Sequence, residues 1–202
     1  MSLVSSPDDV FINCPFDAEY DPLFKAIVFT VFACGFRPRS AKELDDAGDT
    51  RFDKIMRIIG ECRYGIHDIS RTELDPVFGL PRFNMPFELG LFLAAKQFGG
   101  DDHSKKRVLV FDTEPYRYQR FLSDLNGMDI TPHGGDQILL ARGVRNWLAN
   151  ASRRRLITDL AIAELLNRFR AELPQLAAEK GYDANDIPYV DYEYLVTDWL
   201  LA

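Results

Sequence analysis

What this chain lacks excludes several classes of function. No apolar run is long enough to cross a bilayer, and the N-terminus, MSLVSSPDDV, has no signal-peptide apolar centre. Membrane association is therefore not expected. Cysteine is scarce: Cys14, Cys34 and Cys62 are isolated and odd in number, with neither zinc-site spacing nor a disulfide framework. A reducing, cytoplasmic setting is expected. HExxH and clustered Cys/His sets are absent, so no metal is expected. GxGxxG and GxxxxGKS/T are absent too, so neither glycine-rich phosphate cradle is present. Positive charge is in deficit: 24 Lys and Arg stand against 31 Asp and Glu, a formal net charge of -7. That argues against direct nucleic-acid binding while leaving room for a local basic pocket. There is no internal repeat and no low-complexity segment.

What is present suits one ordinary domain with an appendage: 202 residues, 47% of them hydrophobic. Asp9 to Cys14 reads as a first strand that stops at Pro15. Pro22 opens a helix that ends at Gly35. Phe36 to Ser40 is a poor strand, demoted to an edge by Pro38. The loop AKELDDAGDT follows, then a helix over Arg51 to Cys62. Tyr64 to Ile69 is a third strand, and a loop with Pro76, Gly79 and Pro81 leads to a helix over Arg82 to Phe98. Gly99 to Lys106 is a loop, Arg107 to Asp112 the clearest strand, Pro115 to Leu125 a helix, Met128 to Thr131 a short fifth strand and Asp136 to Leu148 a helix. Alternation of this kind implies a parallel sheet covered on both faces. The expectation is an α/β, flavodoxin-like, doubly wound sheet of about five strands over residues 1–150. Residues 151–202 read as a helical C-terminal extension, with a charged helix over Ser152 to Leu173, packed on the core or on a second subunit. The run Arg153 to Arg155 reads as a solvated helix start.

The stretch RFNMPFELGLFLAAKQF is apolar almost all the way round, which predicts a buried helix. Asn84 suits an N-cap and Pro86 a first turn. Glu88 is the one charge within Phe87 to Ala95, and a buried carboxylate is expensive unless paired. It reads as a helix-start carboxylate favoured by the dipole, or as a catalytic acid facing a cleft. Gly90 leans towards the second reading, because glycine admits a close approach.

In open α/β sheets ligands bind beyond the carboxyl ends of the strands, at the switch in strand order. That rule selects Asn13, Cys14, Pro15, Phe16 and Asp17 after the first strand, and His67, Asp68, Ser70 and Arg71 after the third. Asn84 and Glu88 then converge on the same mouth, and the catalytic reading of Glu88 is favoured. Free amides near Asn84 would hold an anion. The rival nucleophile is Cys14 with His67 as base; core packing is the commoner role for both residues. Asp17 and Asp21 also suit turn and cap positions.

FINCPF (Phe11 to Phe16) and NMPFELG (Asn84 to Gly90), joined by HDIS at a strand end, resemble the TIR-like and nucleoside 2-deoxyribosyltransferase-like proteins. These are flavodoxin-like folds, many of which cleave N-glycosidic bonds, and several belong to bacterial anti-phage defence systems and hydrolyse NAD. The resemblance covers roughly the first two-thirds of the chain. It implies that Glu88 is the catalytic glutamate, that Asn84 is the motif asparagine and that Asp68 orients the sugar. The transferases carry D-x-G-T ahead of the glutamate where Arg82-Phe83-Asn84 stands here, which favours hydrolysis over deoxyribosyl transfer. The expectation is an N-glycosidase, catalytic through Glu88 and Asp68, with NAD as substrate and no cofactor. Asn13, Cys14, Phe16, Arg39, Ser70, Arg82 and Asn84 would bind the nucleotide, Phe16 by stacking and the arginines at the pyrophosphate. The relatives act when assembled, so a homo-oligomer is expected. The alternatives are a nucleotide-sensing module without turnover and a deoxyribosyltransferase.

Overall fold

Consecutive strand residues point to opposite faces, so a strand buried on both sides must be apolar throughout. The computed structural model, which describes residues 6–43, 48–74 and 77–202, places such runs at its centre. Residues 1–5, residues 44–47 of the acidic loop and Pro76 of the loop before the third helix lie outside the described residues. Strands β1 (Ser6–Asn13), β2 (Arg37–Arg39), β3 (Cys62–Asp68), β4 (Arg107–Asp112) and β5 (Thr131–Pro132) form one sheet ordered β2-β1-β3-β4-β5. All four pairings are parallel. This is the flavodoxin-like order, and it reverses between β1 and β3. β2 is an edge strand of three residues, RPR, as Pro38 requires.

The helices are α1 (Asp21–Ala33), α2 (Arg51–Glu61), α3 (Asn84–Phe98), a single turn α4 (Asp101–Ser104), α5 (Gln137–Ser152), α6 (Asp159–Glu179) and α7 (Tyr189–Leu201). Val10, Ile12, Tyr64, Ile66, Leu109 and Phe111 bury one face of the sheet in the cluster that holds α1 and α5. Phe11 and Cys62 bury the other face against α2 and Phe92 of α3. Val110 meets Leu89 of α3 on that same side. The extension is part of the first cluster: the Phe29 and Phe169 rings stack at 5.0 Å, and Trp199 lies 5.4 Å from Phe169. No helix among the described residues is long and apolar enough to cross a membrane.

Several expectations are corrected. α3 is buried on one face only: Met85, Glu88, Leu89 and Phe92 are buried, whereas Phe87 is 56% exposed and Phe98 84%. Asn84 is the first helical residue; Phe83 holds the cap position, with no side-chain cap bond, so Glu88 falls in the second turn. A Cβ at Gly90 would meet open space, so no backbone among the described residues approaches that glycine closely. Pro115 to Leu125 forms two 3-10 turns, Arg117–Arg120 and Ser123–Leu125, rather than a helix. The fifth strand sits later than expected, at Thr131–Pro132. Gly99 to Lys106 contains the turn α4. The charged helix begins at Asp159, where the Thr158 hydroxyl accepts from Ala161 N at 3.1 Å, and not at Ser152. Before it, Arg153 ends α5 in a left-handed conformation.

Candidate functional site

The parallel register brings the carboxyl ends of β1, β3 and β4 side by side: Asn13 pairs with His67, and Asp68 with Phe111. His67 is fully buried and lies edge-on to Phe11 and Phe92, at 5.6 and 5.1 Å between centroids. Burial pushes its pKa down to about 3. Asn13 Nδ2 lies 3.0 Å from His67 Nδ1 and 2.9 Å from the Met85 carbonyl oxygen. The amide therefore donates to both, and the neutral imidazole carries its hydrogen on Nε2. His67 is a packed strand histidine that fixes Asn13, and Asn13 in turn ties β1 to the first turn of α3.

Asp68 is completely buried. Its Oδ2 accepts from the Tyr20 hydroxyl at 2.6 Å and its Oδ1 from Ser70 N at 2.8 Å. His133 Nδ1 accepts from Gly135 N at 2.9 Å, which leaves the ring hydrogen on Nε2, 3.1 Å from Asp68 Oδ2 but off the hydrogen-bond line. Asp68 is thus enclosed by protein donors and organises the strand ends. A second buried carboxylate, Asp112, ends β4; Arg117 bonds it at 2.7 Å through Nε. The same guanidinium reaches Thr72 Oγ1 and the Ser70 carbonyl oxygen, both at 2.6 Å, locking the loop after β3 to β4.

Glu88 is different. It is 6% exposed, and no hydrogen-bond donor among the described residues reaches its carboxylate. Burial drives its pKa up to about 7, with Arg51 of α2 pulling the other way. Cys14 lies within the field of both Asp68 and Glu88, and its thiol is fully buried with a raised pKa, chiefly through desolvation. That holds it in the unreactive thiol form, and His67, bonded to Asn13, is no base for it. Phe16 is half-buried against Phe24 at 5.4 Å, with Lys42 Nζ and the Arg51 guanidinium 5.1 and 5.7 Å from its ring centre. Arg51 and Lys42 thus form a basic lip on one side of the mouth.

No family model, no curated protein and no solved structure matches the chain.

Asn13, Cys14, Ser70, Asp68 and Glu88 come together at the β1/β3 switch, with Phe16 beside them. Arg82 and Asn84 are exposed at the entry to α3, and Arg82 acts on Asp17 electrostatically. Asp17 is bonded by Arg71 Nη2 at 2.8 Å, a contact that pins the loop after β1 to the loop after β3. Arg39 is elsewhere: it sits at the edge strand, bonded to Asp9, Glu43 and Glu61, and lines a separate groove of about 610 Å3. Tyr20, Asp112, Arg117 and His133 escaped the sequence reading. The strand-end rule that selected Asp68 also picks Asp112, which closes RVLVFD, and His133, which follows β5. Nothing local marks Tyr20, whose partner is 48 residues away.

Proposed function

We propose that this protein is an N-glycosidase that cleaves the ribosyl–base bond of a nucleotide, with Glu88 as the catalytic carboxylate and NAD as the first substrate to test. The observation that supports this reading is Glu88 itself: a largely buried side chain whose carboxylate meets no hydrogen-bond donor among the described residues, at the switch point of a flavodoxin-like sheet, with a pKa near the working range. Structural carboxylates in this fold look like Asp68 and Asp112, which are tied to donors. The FELG motif of α3 that resembles the TIR-like and deoxyribosyltransferase-like proteins carries that same residue.

In the proposed reaction the C1′–N bond of the ribosyl-nicotinamide breaks. Its electron pair stays on the ring nitrogen and neutralises the pyridinium, so the base needs no proton. Positive charge develops at C1′, and ionised Glu88 stabilises it or bonds to it. Water then adds at C1′, and its proton goes to solvent. Arg51, whose charge acts on Glu88, suits the pyrophosphate better than Arg39, whose charge is already neutralised. Asp68 is a positioning residue in this scheme, because its oxygens are committed to Tyr20 and Ser70. Self-assembly and a place in anti-phage defence belong to the same proposal. The exposed apolar side chains Phe78, Phe83 and Phe87, 79%, 64% and 56% accessible near the start of α3, suit an interface.

The enclosure of Asp68 also favours a second reading, a nucleotide-sensing module without turnover, since its oxygens are committed to Tyr20 and Ser70 rather than free to orient a ribose. Incubation with NAD, NADP, nucleosides and deoxynucleosides, read by mass spectrometry at low and high protein concentration, separates the two. Free base from the wild type and none from Glu88→Gln supports the glycosidase, and transfer to an acceptor base supports the deoxyribosyltransferase. Saturable NAD binding without turnover at any concentration supports the sensor.

A further inference from the structure

A second cavity lies on the opposite face of the sheet, where the extension meets the α/β unit. It has a volume of about 460 Å3, within the roughly 300–1,000 Å3 common for small-molecule sites. α1 supplies Ala26 and Lys25, α6 supplies Leu166, Leu173 and Arg170, and α7 supplies Tyr192. Tyr192 is buried, and its hydroxyl donates to the Lys25 carbonyl oxygen at 3.0 Å, which fixes the ring as part of the wall. The charges in the cavity are unequal in their pairing. Asp21 is neutralised by Lys25 at 2.8 Å, with Lys42 at 3.9 Å. Arg170 makes no ion pair and no hydrogen bond among the described residues, in a chain whose net charge is -7. Gln137 and Asn185 add amide groups to the same lining.

A cavity with a wall of Leu166, Leu173 and Tyr192, and at its rim an exposed guanidinium with no ion-pair partner among the described residues, suits a ligand with an anionic head and a short apolar body. We infer that the open cavity between α1, α6 and α7 is a second ligand site, for a small organic anion whose carboxylate or phosphate is held by Arg170 and whose body lies between Leu166, Leu173 and Tyr192. The inference is independent of the glycosidase proposal, because Arg170, Leu166, Leu173 and Tyr192 belong to none of that site. The cavity does share the β1–α1 loop with it: Ala18 and Asp21 line this side, while Tyr20 between them bonds Asp68.

The test is ligand-observed NMR titration of the full chain with phenyl phosphate and benzoate, and with benzyl alcohol as the neutral match. The expected result is saturable binding of one or both anions, weakened about tenfold by Arg170→Gln and unchanged by Glu88→Gln, with benzyl alcohol at least tenfold weaker. Arg170 is exposed, so Arg170→Gln leaves the fold intact. Leu173→Trp, which fills the cavity, is expected to abolish the saturable binding while the circular dichroism spectrum is retained. Three results would overturn the inference: no saturation by either anion, equal affinity in Arg170→Gln, or equal binding of benzyl alcohol. Loss of anion binding in Glu88→Gln would reassign the binding to the strand-end site.

Discussion

Glu88 and His67 are buried within one neighbourhood, and burial moves their pKa values in opposite senses. For Glu88 the folded value of about 7 exceeds the ordinary 4.5, so the folded state binds more protons across that window. Its contribution is fully present below about pH 4.5 and is lost as pH rises through 7. His67, depressed from 6.5 to about 3, works against it: the unfolded state binds more protons between those values, and stability falls as pH falls. The difference between wild type and Glu88→Gln isolates the contribution of Glu88. Denaturant titrations should show Glu88→Gln indistinguishable at pH 4.5 and more stable by on the order of 3 kcal/mol at pH 8. Glycosidase activity needs the ionised carboxylate, so kcat should rise with pH through about 7, the opposite of a general-acid profile. Cys14, Cys34 and Cys62 are buried free thiols. In the native protein a thiol reagent should label none of the three, and all three after denaturation. Glu88 was legible in the sequence as one charge in an apolar run. The bond that occupies His67 Nδ1 was not, because it depends on the 54-residue reach from Asn13 to His67.

At the scale of the element, the strands were legible because doubly buried strands are continuous apolar runs. RVLVFD needed no tertiary context. α3 was legible as a helix but misread as to burial: its solvent face carries Phe87 and Gly90 rather than charges, so composition hid the amphipathicity that the structure has. The aromatic segment 115–125 carries a helical apolar pattern, yet its backbone is diverted into 3-10 turns. The ties that hold it are Arg117 to Asp112 and Tyr118 OH to the Met128 carbonyl at 3.2 Å, neither of them visible in a periodicity. Gly65 of β3 shows how tightly α3 sits on the sheet. A Cβ there would lie 2.7 Å from Phe92 Cζ and 2.8 Å from His67 Nε2. Gly65→Ala should therefore destabilise by about 2 kcal/mol, measured by urea denaturation, through displacement of Phe92.

At the scale of the whole molecule, the parallel sheet and its flavodoxin-like class followed from alternation and size, whereas the order β2-β1-β3-β4-β5 is read from the structure. The role of the extension did not follow. Its charged sequence left open whether it packs on the core or on another subunit. In the structure Ile162, Leu166, Phe169, Leu195 and Val196 are buried in the same cluster as α1 and α5. Truncation after Asn150 would expose the outer face of α1, including Phe29, which is fully buried. The shortened chain should lose its cooperative thermal transition and elute as aggregate in size-exclusion chromatography, rather than survive as a folded monomer.

The most direct measurement at this scale is release of free nicotinamide from NAD by the intact protein, followed by mass spectrometry beside Glu88→Gln. Nicotinamide from the wild type and none from the variant, across low and high protein concentrations, is the predicted result. Equal release by both proteins would contradict the assignment of Glu88 as the catalytic carboxylate.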